Sequence, residues 1–324
     1  MPRVLITATF NESHLARQTP HGAGSWGDFQ FLFQPDGEPV DAWVVYDDLK
    51  QPVSQVCPRA NTLLITGRPA SLRQYRTRYT SQFGQIWTSH TNITHSHVTL
   101  RHEAQHWHYA LLNGTAHDHP LGIEELQALA RPDKPKLLSV LCSAKSVTAD
   151  HRRRLEFVRY LQSELGDQID VFGHNVRPVV DKSEAIWPYK YHVVLENDHS
   201  ENFMTEKLPD AFLGWSYPIY FGGNEAYHRF PEGSFTAIDI YQPKQALNVI
   251  RNVLLSETYE NSVDCIAEAR NNVLAKHNLV AMLVEYWRTN LVRQAASEVT
   301  ILPKSHRASL VVQQIKRTLT RRAA

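Results

Sequence analysis

Cysteine is scarce in this 324-residue chain: Cys57, Cys142 and Cys265 are the only three. Their odd number and wide spacing exclude a disulfide framework and a four-cysteine zinc site. Charge of one sign is missing too. Thirty-four Lys and Arg stand against 33 Asp and Glu, a net charge of +1, without the basic surplus of a nucleic-acid-binding protein. No run approaches the roughly 18 apolar residues of a membrane span. Fourteen Gly and 17 Pro are too few for a collagenous or low-complexity chain. What remains is ordinary globular stock, 42% hydrophobic and 21% charged, at 37.1 kDa. That size suits two medium domains. The opening Met1-Pro2-Arg3-Val4-Leu5-Ile6 reads as a first strand rather than a secretory leader, so a cytoplasmic location is expected.

The clearest break is Arg131-Pro132-Asp133-Lys134-Pro135-Lys136, read as a stiff, solvated linker. Beyond it the pattern alternates. Leu137–Cys142, Ile169–Gly173, His192–Leu195, Tyr217–Phe221 and Phe235–Ile238 read as strands. Helices are expected over Thr148–Leu165, Thr205–Leu213 and Lys244–Leu255, and almost continuously over 261–294. Strands alternating with helices predict an α/β fold with a parallel sheet covered on both faces. The first half is less regular. Trp43–Tyr46 and Thr62–Thr66 read as buried strands, Leu72–Phe83 as a helix, and 88–119 as irregular.

Open parallel sheets bind ligands beyond the carboxyl ends of their strands. Two loops qualify. One carries Ser143-Ala144-Lys145-Ser146 and leads into a helix bearing His151 and Arg152–Arg154; the other runs from Glu196-Asn197 to Glu206-Lys207. Together they offer a helix N-terminus, a lysine and arginines, the donors and charge that a diphosphate needs. Taken alone, Arg152–Arg154 read as a wet helix face. A carboxylate such as Glu206 can accept hydrogen bonds from sugar hydroxyls.

Tyr189-Lys190-Tyr191-His192-Val193-Val194-Leu195-Glu196-Asn197, with Phe203-Met204-Thr205-Glu206-Lys207-Leu208, closely resembles the signature of the α-1,3/4-fucosyltransferases, glycosyltransferase family 10. The likeness continues through Asp210–Leu213, Tyr217–Gly222, Tyr227–Pro231 and Ser234-Phe235, and back to Arg154, Phe157, Leu161 and Ile169–Gly173. It spans roughly 137–255 and is weaker in the first half. It implies two Rossmann-like domains facing a cleft, the GT-B architecture, in a bacterial-type member. An acceptor-binding domain is expected at 1–132, a GDP-sugar-binding domain at 133–275, and C-terminal helices packing back across both at 276–324. The resemblance makes Arg154 and Lys207 a diphosphate clamp, Glu206 a hydroxyl-binding carboxylate and Asn197 a polar donor contact. Phe203 stands where many members have Tyr. GDP-fucose is the implied donor, with no obligatory cofactor and no metal, and an oligosaccharide or glycolipid hydroxyl the acceptor. No nucleic-acid partner is expected.

In many relatives a Glu follows Thr-Gly in the first domain as the presumed base. Here the string is Thr66-Gly67-Arg68-Pro69. Arg68 cannot accept a proton near neutral pH. Asp47, Asp48 or Glu103 would then serve as base, or Arg68 would bind an acidic acceptor on the acceptor side. The alternatives are a transferase for another nucleotide sugar on the same fold, or a sugar-nucleotide-binding protein with weak or no transfer. His102-Glu103-Ala104-Gln105-His106 matches the zinc-protease pattern, but its flanks give no amphipathic helix to bring both imidazoles to one face. The stretch Leu302–Arg322 reads either as a basic amphipathic helix touching the inner face of a membrane peripherally, or as a last helix packed on the protein.

Overall fold

Ala42–Tyr46 and Tyr189–Leu195 are buried almost throughout, as a strand covered on both faces must be. The computed structural model, which describes residues 1–10, 12–173 and 176–305, places each inside a parallel sheet. The first half contributes β1 (Arg3–Ala8), β2 (Ser25–Trp26), β3 (Phe29–Leu32), β4 (Ala42–Tyr46), β5 (Val53–Cys57), β6 (Thr62–Ile65), α1 (Thr77–Thr80), β7 (Gln85–Thr88), β8 (Val98–Leu100) and α2 (Ile123–Ala128). Its seven-stranded sheet runs β2-β3-β1-β4-β6-β7-β8, parallel except where β2 meets β3. The second half continues with β9 (Lys136–Leu141), α3 (Ala149–Leu165), β10 (Ile169–Phe172), β11 (Tyr189–Leu195), α4 (Lys207–Leu213), β12 (Tyr217–Phe221), α5 (Glu225–Arg229), β13 (Thr236–Ala237), α6 (Pro243–Leu255), α7 (Thr258–Asn261) and α8 (Val263–Ala275). Its five-stranded sheet, β10-β9-β11-β12-β13, is parallel throughout. The chain then forms α9 (Leu279–Asn290) and β14 (Ser297–Ile301), which pairs antiparallel with β5.

Apolar packing does not follow chain order. Trp107, Tyr109, Leu121, Ile123 and Leu126 join Val194, Leu208, Phe212 and Val273 in one core beside the second sheet. Conversely, Leu279, Leu283 and Trp287 of α9 pack with Val4, Ile6, Val44 and Trp87 against the first. The chain crosses between the two bodies and later crosses back.

Several expectations need correction. The helix read over Leu72–Phe83 shrinks to Thr77–Thr80. Tyr75, Tyr79 and Phe83 are buried in one core, but the backbone before them turns at Pro69, whose carbonyl accepts from Leu72 and Arg73 N–H. The continuous helix over 261–294 is broken after Lys276, and Asn278 caps α9 by accepting from Ala281 N–H at 2.9 Å. Within 276–324, Ser297–Ile301 is a strand, and the expected basic helix falls largely on 306–324, outside the described residues. Strands β2, β3, β5, β7 and β8 have no counterpart among the expected strands, and none is longer than five residues.

The linker is not solvated at its centre. Lys134 is buried. Its ammonium donates to the Trp187 carbonyl at 2.6 Å, to Ile186 O and Ser216 Oγ at 3.3 Å, and to Gly214 O. The Ile186 carbonyl also accepts from Tyr189 N–H and Ser216 Oγ, so it is the Trp187 and Gly214 carbonyls that depend on this side chain. Lys134→Met should leave them unpaired, at a cost of about 1–3 kcal/mol for a buried polar group left without a partner. Urea unfolding measures this; a midpoint equal to wild type would show that the carbonyls find other donors.

Candidate active site

The carboxyl ends of both parallel sheets open onto one cavity of about 750 Å³. Tyr46, Asp47, Gly67 and Arg68 reach it from the ends of β4 and β6; Ser143, Gly173 and Asn197 reach it from β9, β10 and β11. Gly173 has φ +155°, and a Cβ there would lie 2.1 Å from Cys142 O. Only glycine lets these two strand ends approach so closely.

On the second-half wall, Arg154 projects from α3, whose N-cap Thr148 accepts from His151 N–H. Arg154 is 2% exposed. Its Nη2 donates to Ser143 Oγ at 3.3 Å, its Nε has no hydrogen-bond partner, and among the described residues no carboxylate pairs with it. Asn197 Oδ1 is likewise buried and unpartnered. Lys207, the first residue of α4, donates to Glu196 Oε2 at 2.9 Å and Thr205 Oγ1 at 2.8 Å. Glu196 is fully buried and also accepts from Thr205 N–H and Oγ1. Phe203 is a buried apolar part of the same wall.

Glu206 belongs to a buried ionic group. Lys182, at the start of a short turn over Lys182–Ala185, places Nζ 2.8 Å from both Glu206 Oε1 and Asp210 Oδ2. His108 Nδ1 is 3.7 Å from Glu206 Oε1. Burial alone pushes the Glu206 carboxyl up, but Lys182, Lys207 and His108 outweigh it and hold it well below 4.5. His108, Glu206 and Asp210 bring ligand-type atoms within 4.8 Å of one another. The Lys182 ammonium already supplies the positive charge there. Asp210 accepts from His108 N–H at 2.7 Å and Tyr109 N–H at 2.9 Å, so this group also fastens the first half to the second.

The acceptor-side candidates are scattered. Asp47 lines the cavity with φ +65°, a left-handed conformation that Asp tolerates. Its carboxylate accepts from Tyr75 OH at 2.5 Å and Lys304 Nζ at 2.6 Å, and lies 3.3 Å from Arg68 Nε and 3.4 Å from Arg73 Nη1. Burial pushes it up, but Lys304, Tyr75 and Arg73 hold it below the usual range. Asp48 turns away, accepting from Leu49 and Lys304 N–H. Glu103 is fully buried behind the wall, bonded to Ser89 Oγ and, at 3.4 Å, Thr66 Oγ1; burial, partly offset by these bonds, raises its carboxyl to about 8. The run 101–110 is not helical, and Ala104 and Ala110 take positive φ. His102 and His106 therefore share no helical face.

One cavity thus gathers Asp47, Arg68, Arg154, Asn197, Phe203, Glu206 and Lys207, and leaves Asp48 and Glu103 off its wall. Lys182, His106, His108 and Lys304 were not anticipated. The Asp181–Glu184 capping box marks the turn that carries Lys182 and is readable in sequence; Lys304 acts through partners more than 250 positions away.

Residues 132–260 match the family model described as glycosyltransferase family 10 (fucosyltransferase), C-terminal. Over this segment the chain is similar to glycosyltransferase family 10. An alpha-(1,3)-fucosyltransferase of Helicobacter pylori is 28% identical over 108 residues, 31% of this chain and 22% of that protein. A 4-galactosyl-N-acetylglucosaminide 3-alpha-L-fucosyltransferase of Gorilla gorilla gorilla is 32% identical over 96 residues, 28% of this chain and 26% of that protein. The matched stretch is thus about a quarter of these relatives' length. A crystal structure of an alpha1,3-fucosyltransferase with GDP-fucose aligns with TM-score 0.52 and 16% identity, covering 91% of this chain and 92% of that one. One with GDP gives 0.50 and 18%, with the same coverage. The matched segment therefore sits in a GT-B fold, two Rossmann-like bodies facing a cleft.

Asp210→Ala would leave Lys182 with Glu206 as its one carboxylate partner and strand two backbone donors, and removing one partner from such a buried group costs about 3–5 kcal/mol. Because Glu206 is held below 4.5, its share of stability is complete above that pH and is lost as the pH falls through the depressed value. Unfolding at pH 7 checks the variant; a loss below about 1 kcal/mol, the worth of an exposed pair, would place the group in solvent.

Proposed function

We propose that the chain is an inverting, metal-independent glycosyltransferase that moves fucose from GDP-fucose to a carbohydrate hydroxyl. The observation that carries this reading is Arg154. A buried guanidinium with an orphan Nε and, among the described residues, no carboxylate partner is unfavourable by several kcal/mol unless an anion completes the site. A diphosphate beside Arg154 and Lys207 would do so, with Asn197 Oδ1 free for a hydroxyl or base donor. As the sugar leaves, negative charge develops on GDP, and fixed cations stabilise it most in the transition state. The domain at 133–275 would hold this donor, the body built on 1–132 would hold an oligosaccharide or glycolipid acceptor, and the residues from 276 onward would tie the two. Among the described residues no helix is long and apolar enough to cross a membrane.

Arg68 on the wall keeps one rival in view, a sugar-nucleotide-binding protein without transfer. Turnover separates the two. The three carboxylates foreseen as base gain little support from their placement: Asp47 is held by cations, and Asp48 and Glu103 lie off the cavity.

GDP at about 100 times its dissociation constant should add roughly 2.7 kcal/mol to thermal stability, with GDP-fucose above GDP and UDP or CDP below. Arg154→Ala and Lys207→Ala should each weaken GDP-fucose by about 1.5–3 kcal/mol, the worth of charge-assisted bonds. A UDP-selective shift, or full affinity in both variants, would move the donor site elsewhere.

A further inference from the structure

The transfer proposed above needs a group that takes the proton of the attacking hydroxyl, and this inference rests on that reading. Most titratable groups of the cavity wall are already engaged. Asp47 is shared among Arg68, Arg73, Lys304 and Tyr75. Glu206 and Asp210 share Lys182. His151 Nδ1 lies 2.6 Å from Thr148 Oγ1, and His192 Nδ1 is 2.8 Å from Ser139 Oγ. Set apart from these is a pair of imidazoles on the first-half segment that reaches across to α4, in which one ring nitrogen is buried without a partner.

His106 and His108 both line the cavity. Their Nε2 atoms are 2.9 Å apart and their rings meet edge to face at 4.6 Å. His106 stacks on Phe10 at 4.4 Å and presents an edge to Tyr46 at 6.5 Å. The backbone N–H of His108 is fixed by Asp210 at 2.7 Å. A bond between two imidazole Nε2 atoms requires one to carry a proton and the other a lone pair. Glu206, anionic and 3.7 Å from His108 Nδ1, favours a proton on that Nδ1. His108 Nε2 is then the acceptor, His106 Nε2 the donor, and His106 Nδ1 keeps its lone pair. That Nδ1 is buried and has no hydrogen-bond partner. A desolvated acceptor left unmatched is unfavourable by about 1–3 kcal/mol, a cost that an arriving hydroxyl would remove.

We propose that His106 is the general base: its Nδ1 takes the proton of the acceptor hydroxyl, while His108 is a positioning residue that, with Glu206, fixes the tautomer. In the step, the acceptor oxygen forms a bond to the anomeric carbon and the bond from that carbon to the diphosphate oxygen breaks. GDP leaves with the electron pair, and the proton passes to His106. The resulting imidazolium faces the Glu206 charge through His108. The charged and titratable groups around the pair are Tyr46, Arg17, Lys182, Lys207, Glu206 and Asp210. Burial, helped by Arg17 and Lys182 and opposed by Glu206, lowers His106 to about 3 and His108 to about 4. Both are therefore neutral near pH 7 with a lone pair to offer, but in the empty cavity the lowered value makes His106 a weak base. Bound diphosphate adds negative charge to the cavity and strengthens His106 as a base when the donor is present.

The test is GDP release from GDP-fucose by the whole chain, with water and with a 4-galactosyl-N-acetylglucosaminide as acceptors. His106→Gln should lower kcat by about 10²-fold or more, the usual contribution of a general base, with GDP binding unchanged. His108→Gln keeps a partner for His106 but loses the ring that passes the charge of Glu206 on. It should lower kcat less and move the acid limb of the pH profile, which a purely structural role would not move. Wild-type kcat in His106→Gln overturns the proposal. So does a His106→Gln that loses GDP binding in proportion to its rate, which would make the pair a donor-site support. A wild type that binds GDP-fucose but releases no GDP with either acceptor overturns the transferase reading itself.

Discussion

The molecule depends on two buried aspartates that hold a backbone not their own. Asp210 accepts from the N–H groups of His108 and Tyr109, and Asp181 from those of Ala110, Leu111 and Leu112. From the other side, Arg17 donates to the carbonyls of Trp107, Tyr109, Ala110 and Leu121. A segment with no regular structure thus has its polar groups satisfied by charged side chains from both bodies, the condition for burying irregular backbone. Lys182 prevents the aspartate–glutamate cluster from repelling itself. The same bonds set His108 beside Glu206, so the fastening of the two bodies and the shape of the cavity are one arrangement.

How much of this can be read in the sequence divides along the chain. In the second half, strands buried on both faces stand out as apolar runs, and α3 shows its cap, its apolar spacing and its terminal glycine. Strand, helix and ligand loop follow one another within a few residues, so the loops and helix that carry Arg154, Asn197 and Lys207 stand out in local order, while the roles of these three residues come from the family resemblance alone. The first half encodes its contacts at a distance. Tyr75 and Tyr79 keep helical spacing because both reach under the Asp47 turn, not because a long helix joins them. The sequence around Asp47 shows a pair of acids after a strand; what it cannot show is that Lys304, far along the chain, comes to neutralise them. Lys134 misleads in the opposite sense, since a lysine between prolines ordinarily means solvent and here means a ligand for carbonyls.

The two walls of the cavity also differ in electrostatic completeness. On the Asp47 side every charge has a partner of opposite sign, and Arg68 keeps part of its guanidinium free toward the cavity. Across from it, Arg154 is a buried cation for which the described residues supply no counter-charge. A site finished on one side and open on the other is arranged for a ligand that brings its own negative charge to one end.

The crossing of the chain has a consequence for how such proteins diversify. Where two bodies are contiguous in sequence, recombination can exchange one of them as a cassette. Here a junction at the Pro132–Pro135 segment would carry Trp107, Tyr109, Ile123 and Leu126 away from the core they complete beside the second sheet, and would leave the first sheet without α9. Exchange of one body at that junction would thus open both cores at once.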